Sequence, residues 1–108
     1  TDCGKVINPD GATAQVEGNV MWGVGSSLLE AARVEDGQVA LSNFDSYPLL
    51  TMRQAPHVTV ELINPTGAPP GGVGEPAIGP VAAAIGNALF ALDGTRRRTI
   101  PFTSPAAG

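Results

Sequence analysis

Apolar residues recur every four positions through "ATAQVEGNVMWGVGSSLLEAARV", at Val16, Val20, Val24 and Leu28. That spacing places them on one face of a helix and predicts one over residues 11–32, with Asp10 as its N-cap. A second stripe, Val81, Ile85, Leu89 and Leu92, predicts a helix over residues 77–92. Pro80 is tolerable in its first turn and Gly94 fits its C-terminal stop. Between the helices, "HVTVELIN" alternates strictly. Val58, Val60 and Leu62 face one side of a half-buried strand; His57, Thr59 and Glu61 face the other, with His57 toward solvent. "RVEDGQVAL" is a hairpin signal, with Val34 and Val39 flanking a turn built on Asp36 and Gly37.

The remaining stretches complete the order β-α-β-β-β-α-β. "DCGKVIN" reads as a short strand leading into the turn residues Asn8, Pro9, Asp10 and Gly11. "SNFDSYPLLTM" is irregular, with Phe44 and Tyr47 as packing anchors, and "RRRTIPF" reads as a final strand. The expected class is α+β, two main helices on a small mixed or antiparallel sheet, in a single domain over residues 1–108. The helices and the alternating strand would share one apolar face.

Two features depart from an ordinary pattern. Gly18, Gly23 and Gly25 sit inside the first predicted helix, where each costs about 1 kcal/mol relative to Ala. Either another backbone or a bulky ligand approaches closely there, or the helix is interrupted and packs ordinarily. The second feature is a long glycine-proline loop, "PTGAPPGGVGE", of a length often given over to function. Few of its side chains can pin it down. Its one carboxylate, Glu75, lies among glycine, proline and small apolar residues. A carboxylate enclosed in this way can serve as a general base. The same Glu also fits a solvated loop, or an acid at the start of a helix.

Composition narrows the function classes. The chain has 108 residues, a formal net charge of −4 and a modest core in prospect. The acidic balance argues against a nucleic-acid surface. The one basic cluster, Arg96 to Arg98, reads as a solvated face or a neighbour of a helix C-terminus. A single cysteine, Cys3, excludes an internal disulfide framework and a self-contained cysteine metal site. Cys3 and His57 are read as packing residues. No apolar run reaches the ~18 residues of a membrane span, and none reads as a signal peptide. The chain opens without a methionine on strand-like residues, which reads as a piece of a longer polypeptide.

Three stretches carry a resemblance: "DCGKVINPDGATAQVEG", "SNFDSYPLLTM" and "PGGVGEPAIGPVAAAIGNALFALDGTRRRTIPF". In this order the chain resembles the C-terminal part of the molybdopterin-binding large subunit of the xanthine dehydrogenase and aldehyde oxidase family. The isoquinoline 1-oxidoreductase beta subunit and bacterial aldehyde dehydrogenase relatives look nearest. The pairing of "AQVEG" with a later "GVGEP" is the specific part, and the resemblance covers nearly the whole chain.

The resemblance implies that Glu75 is the base beside the molybdenum, in an oxidative hydroxylation that takes its oxygen from water. It implies that Gln15 and Gly74 lie against the molybdopterin cofactor, in the cytosine dinucleotide form. The helix glycines would then be close-approach positions. The substrate would be an N-heteroaromatic or an aldehyde. Electrons would leave through 2Fe–2S clusters on a separate small subunit. Trp22 stands where wider members carry Gln, and no role passes to it. The partners implied are the remainder of the large subunit, the iron–sulfur subunit and a small-molecule substrate, in a bacterial cytoplasm or periplasm. No metal ligand is assigned, and the 108 residues alone are expected to bind no cofactor and to be inactive. The rival expectation is a stand-alone, non-catalytic interaction module that keeps the fold.

Overall fold

The computed structural model describes residues 1–65 and 67–103. Thr66, in the glycine-proline loop, and residues 104–108 lie outside the described residues. The first helix, α1, runs Pro9–Leu28. It starts earlier than the hydrophobic stripe suggests because Pro9 presets the first helical φ. The cap is therefore Asn8 and not Asp10: Asn8 Oδ1 accepts from Gly11 N at 3.0 Å. Asp10 falls in the first turn, where its charge suits the positive end of the helix dipole. The helix stops four residues short of the expected end, as Leu29 N and Glu30 N both turn back onto the Gly25 carbonyl.

The buried side of α1 is not the valine stripe. Ala12, Val16, Asn19, Gly23 and Ser27 are buried, whereas Val20, Val24 and Leu28 are half-buried. A strict four-residue repeat precesses by about 40° per step around a helix of 3.6 residues per turn. The valines thus slide off the face that small and polar residues hold. At Gly23 the reason is direct: a Cβ there would lie 2.7–2.9 Å from the side-chain carbons of Val81. Val81 belongs to the second helix, α2 (Gly79–Asp93), and α1 and α2 cross at this point. Gly25 is covered by Glu30 and Leu50, but nothing lies within 4 Å of a Cβ at Gly18. Close approach thus explains one or two of the three glycines, not all of them.

The hairpin forms as expected. β1 (Val34–Glu35) pairs antiparallel with β2 (Gln38–Val39), Val34 opposite Val39. Asp36 and Gly37 both take positive φ, +50° and +79°, the geometry a two-residue turn of this hand requires. The class is therefore two helices with a small antiparallel sheet, but the helices pack on each other and not on the hairpin.

The other three expected strands are not ladders. "DCGKVIN" and "HVTVELIN" do meet, through one parallel bridge between Asp2 and Ile63. Ile63 N donates to Thr1 O at 2.8 Å, and Thr1 N donates to Glu61 O at 2.7 Å. The alternation along residues 57–62 is kept, valines and Leu62 half-buried and their neighbours exposed. Side-chain sidedness is a local property; a ladder needs a partner strand, and this chain supplies only a few residues of one. "RRRTIPF" is also irregular. Its arginines engage α2 instead: Arg97 pairs with Asp93 at 2.7 Å, and Arg96 lies 3.8 Å over the Phe90 ring. The following residues reach α1, where Phe102 N donates to Ser27 O at 2.8 Å and Thr103 Oγ1 donates to Leu28 O. Those carbonyls belong to the last turn of α1 and lack partners within it.

Phe44 is not a packing anchor: it is 95% exposed on the single 3-10 turn Phe44–Ser46. Its neighbour Tyr47 is half-buried and donates to Glu30 Oε2 at 2.9 Å. That bond ties the irregular stretch to the end of α1. It also raises the Tyr47 pKa, because the hydrogen bond to Glu30 is lost on ionisation.

Candidate functional site

The two motifs that stand far apart in sequence meet at Asn19. This residue occupies the buried stripe of α1, 4% exposed. Its Nδ2 donates to the Gln15 carbonyl at 2.5 Å, a back-bond within the helix, and to the Gly74 carbonyl at 2.7 Å, across 55 residues. Both partners are carbonyl oxygens, so the amide orientation is fixed: a flipped side chain would set oxygen against oxygen. Asn19 Oδ1 is buried with no hydrogen-bond partner among the described residues. Asn19 carries a single signal in the sequence, a polar residue three positions after Val16 on the face that turns inward, and sequence reasoning passes over it.

The loop before Glu75 is tied down more firmly than its composition suggests. Gly71 N donates to Cys3 O at 2.6 Å, and Lys5 N to Pro69 O at 3.4 Å. The ties are made by backbone groups, which side-chain content does not reveal. Gly4, at φ +68°, lies beneath Pro69 so closely that no Cβ could fit. Cys3 is buried behind this contact. Beyond Gly74 the chain turns toward α2, with Ile78 N donating to Glu75 O at 3.1 Å.

Glu75 itself is exposed. The apolar enclosure expected from its neighbours is not formed by this chain: glycine and proline line the sequence but put no side chains over the carboxylate. Gly72 and Gly74 have nothing within 4 Å of a Cβ position. Gln15 is also exposed, on the turn of α1 before Asn19. It lines a groove of about 300 Å³ together with Cys3, Lys5, Ile7, Gly71 and Val73. Gln15 and the start of the glycine loop therefore share one concavity, whereas neither Gly74 nor Glu75 lines it.

The donor and acceptor groups of this groove suit a polar heterocycle such as a pterin. The groove offers the Gln15 amide, which both donates and accepts, beside Gly71, with Lys5, Ile7, Pro70 and Val73 also on its walls. Among the described residues no three His, Cys, Asp or Glu side chains converge in a way that could hold a metal ion. His57 is exposed and Cys3 buried. No described helix is long and apolar enough to cross a membrane.

Comparison with known proteins identifies the family. The molybdopterin cofactor-binding domain family matches residues 1–56, a span that includes Gln15 and Asn19. A nicotinate dehydrogenase subunit of Pseudomonas putida is 38% identical over 103 residues, covering 95% of this chain and 9% of that protein. The isoquinoline 1-oxidoreductase beta subunit of Brevundimonas diminuta is 36% identical over 100 residues, covering 93% of this chain and 13% of that protein. The crystal structure of quinoline 2-oxidoreductase from Pseudomonas putida 86 superposes with a TM-score of 0.78 at 28% identity, over 93% of this chain and 14% of that one. The chain thus spans only 9–14% of the length of these relatives. By its match to that family model and by these relatives, the chain belongs to the molybdopterin cofactor-binding domains of the molybdenum hydroxylases related to xanthine dehydrogenase and aldehyde oxidase.

Proposed function

We propose that this chain is the C-terminal segment of the molybdopterin-binding domain of a molybdenum hydroxylase large subunit. In that role it supplies the active-site base and part of the cofactor wall. The observation that carries the reading is the joining of the "AQVEG" helix to the "GVGEP" loop by the Asn19 amide. Gln15 and the Gly74 backbone would hold the cofactor, for which the cytosine dinucleotide form is proposed. When bound, the molybdenum cofactor supplies the two-electron acceptor for the substrate C–H bond and the site at which water is activated. Glu75 takes up, at a carboxylate oxygen, the proton released as oxygen from water is delivered to the substrate carbon. The glycines before it leave the carboxylate free of side-chain obstruction, and the rest of the large subunit would cover it and exclude bulk water.

Substrates of the N-heteroaromatic or aldehyde class are supported by the relatives, whose names specify nicotinate and isoquinoline. Those relatives are named as subunits, which supports a partner subunit here; 2Fe–2S clusters on it would carry the electrons away. The test is Glu75→Gln in the intact enzyme. It keeps the shape and hydrogen bonding of the side chain but accepts no proton. Loss of a general base lowers the rate about 10²–10⁴-fold. The loss should appear in single-turnover reduction by substrate, with molybdenum content unchanged. A nearly normal single-turnover rate at normal metal content would leave Glu75 as an ordinary loop residue.

A further inference from the structure

Asn19 has a more specific duty than filling the helix interface. Three hydroxyl or amide side chains of α1 bond back to their own helix: Ser26 to Trp22 O and Gly23 O, Ser27 to Gly23 O, and Asn19 to Gln15 O. Such local bonds are common and by themselves carry no function. Asn19 differs in two ways. Its second donor proton goes to Gly74 O at 2.7 Å, the only side-chain hydrogen bond among the described residues that joins α1 to the loop. It also leaves its own oxygen buried with no partner among the described residues. A buried unpaired acceptor is a net cost to the fold. An apolar residue of similar size would avoid that cost but could not hold the loop. The peptide group that Asn19 holds, Gly74 C=O, is the one whose nitrogen belongs to Glu75.

The geometry points to Asn19 as the positioning residue of the hydroxylase: its amide fixes the Gly74–Glu75 peptide against α1 and so sets where the Glu75 carboxylate stands. This rests on the reading of Glu75 as the base. Among the described residues nothing lies within 4 Å of a Cβ position at Gly72 or Gly74, so no side chain packs against that face of the loop. A displacement of about 1 Å at a reacting group can cost on the order of 10²-fold in rate. Anchoring the peptide that carries the carboxylate residue therefore matters to the chemistry, whereas Asn19 itself touches no reacting atom.

The experiment uses the intact holoenzyme in four forms: wild type, Asn19→Ala, Glu75→Gln and the double variant. Asn19→Asp is added, because it keeps the shape and replaces the two donors with acceptors. The expected result for Asn19→Ala is a roughly 10–100-fold slower single-turnover reduction, with molybdenum content and substrate Kd unchanged. Amide exchange should become faster for the peptide containing Gly74 and Glu75. Asn19→Asp should slow turnover at least as much. In the double variant, Asn19→Ala should add nothing to Glu75→Gln, since one residue acts through the other. Additive losses, loss of molybdenum with Asn19→Ala, or unchanged loop exchange would each overturn the assignment. If the variants do not fold, a crystal structure of the wild-type enzyme decides: Asn19 Nδ2 lies within hydrogen-bond distance of Gly74 O or the inference fails. Normal activity of Glu75→Gln would refute the proposed base, while the exchange measurement would still report whether Asn19 holds the loop.

Discussion

Gly18 and Gly23 lie on the same helix and are indistinguishable by propensity, yet their surroundings give them opposite roles. Gly23→Ala adds a methyl group 2.7–2.9 Å from Val81 carbons, close to the α2 backbone and unable to swing aside. Overpacking of this kind costs about 1–3 kcal/mol, against a helix-propensity gain of about 1 kcal/mol. The net effect expected is a lower melting temperature of the intact large subunit, and adding Val81→Ala should restore it only in part, because the Val81 Cβ, the nearest atom at 2.7 Å, remains. A melting point unmoved by Gly23→Ala would mean that α1 and α2 do not cross there. Gly18→Ala meets no obstruction in this chain. From sequence, Glu75, Gln15 and Gly74 could be named because motif and resemblance mark them. Asn19 could not, because its importance is a contact across 55 residues. The exposure of Glu75 was missed for a related reason: apolar neighbours in sequence are not enclosure in space.

The helices were legible because their signals are local: Pro9 and Asn8 at one start, and Gly94 at φ +70° closing α2 with its N–H on Phe90 O. The hairpin was legible for the same reason. Strand pairing was not, since alternation shows which way side chains face but not whether a partner strand exists. The end of α2 carries one further testable feature. Asp93 stands at the negative end of the helix dipole, an unfavourable place for an acid. Hydrogen bonds from Arg97 at 2.7 and 3.1 Å, and from Thr95 N at 2.9 Å, offset this. The Arg97 hydrogen bonds, chiefly, hold the Asp93 carboxyl down at about 2, from 3.8. A depressed carboxyl contributes stability above its unfolded value near 3.8 that is lost as pH falls through about 2. Both side chains are about a third exposed, so solvent screens most of that contribution. The local titration remains measurable by carboxyl-carbon NMR. Arg97→Ala should move the Asp93 midpoint upward toward the ordinary value; a midpoint unchanged by the substitution would dissolve the pair.

Taken whole, the chain has too little interior for its length. Among the described residues only Cys3, Ala12 and Val16 are buried apolar side chains. Phe44, Met52, Leu92, Ile7 and Trp22 are 64–95% exposed. The radius of gyration is 17.0 Å, whereas a compact domain of this size has about 13 Å. Trp22, Leu49 and Met52 border an open apolar hollow of about 480 Å³ with Met21 and Leu50. Such a surface is what the proposed place within a larger subunit would cover. Expressed alone, the 108 residues should keep helical far-UV dichroism, bind a hydrophobic dye and unfold over a broad urea range. A sharp two-state transition without dye binding would show an autonomous domain, as the interaction-module alternative requires.

The tie between Asn19 and Gly74 also imposes an order of events during synthesis. A ribosome adds roughly 5–20 residues per second, so on the order of 3–11 s separate the two ends of that bond. For that interval α1 exists with its amide and glycine face uncovered, and the segment around Cys3 waits for Pro69 and Gly71 to close over it. The Asn19–Gly74 bond thus cannot form until the loop has been made. Until then the Asn19 amide, buried in the finished fold, stands open to water and to other partners.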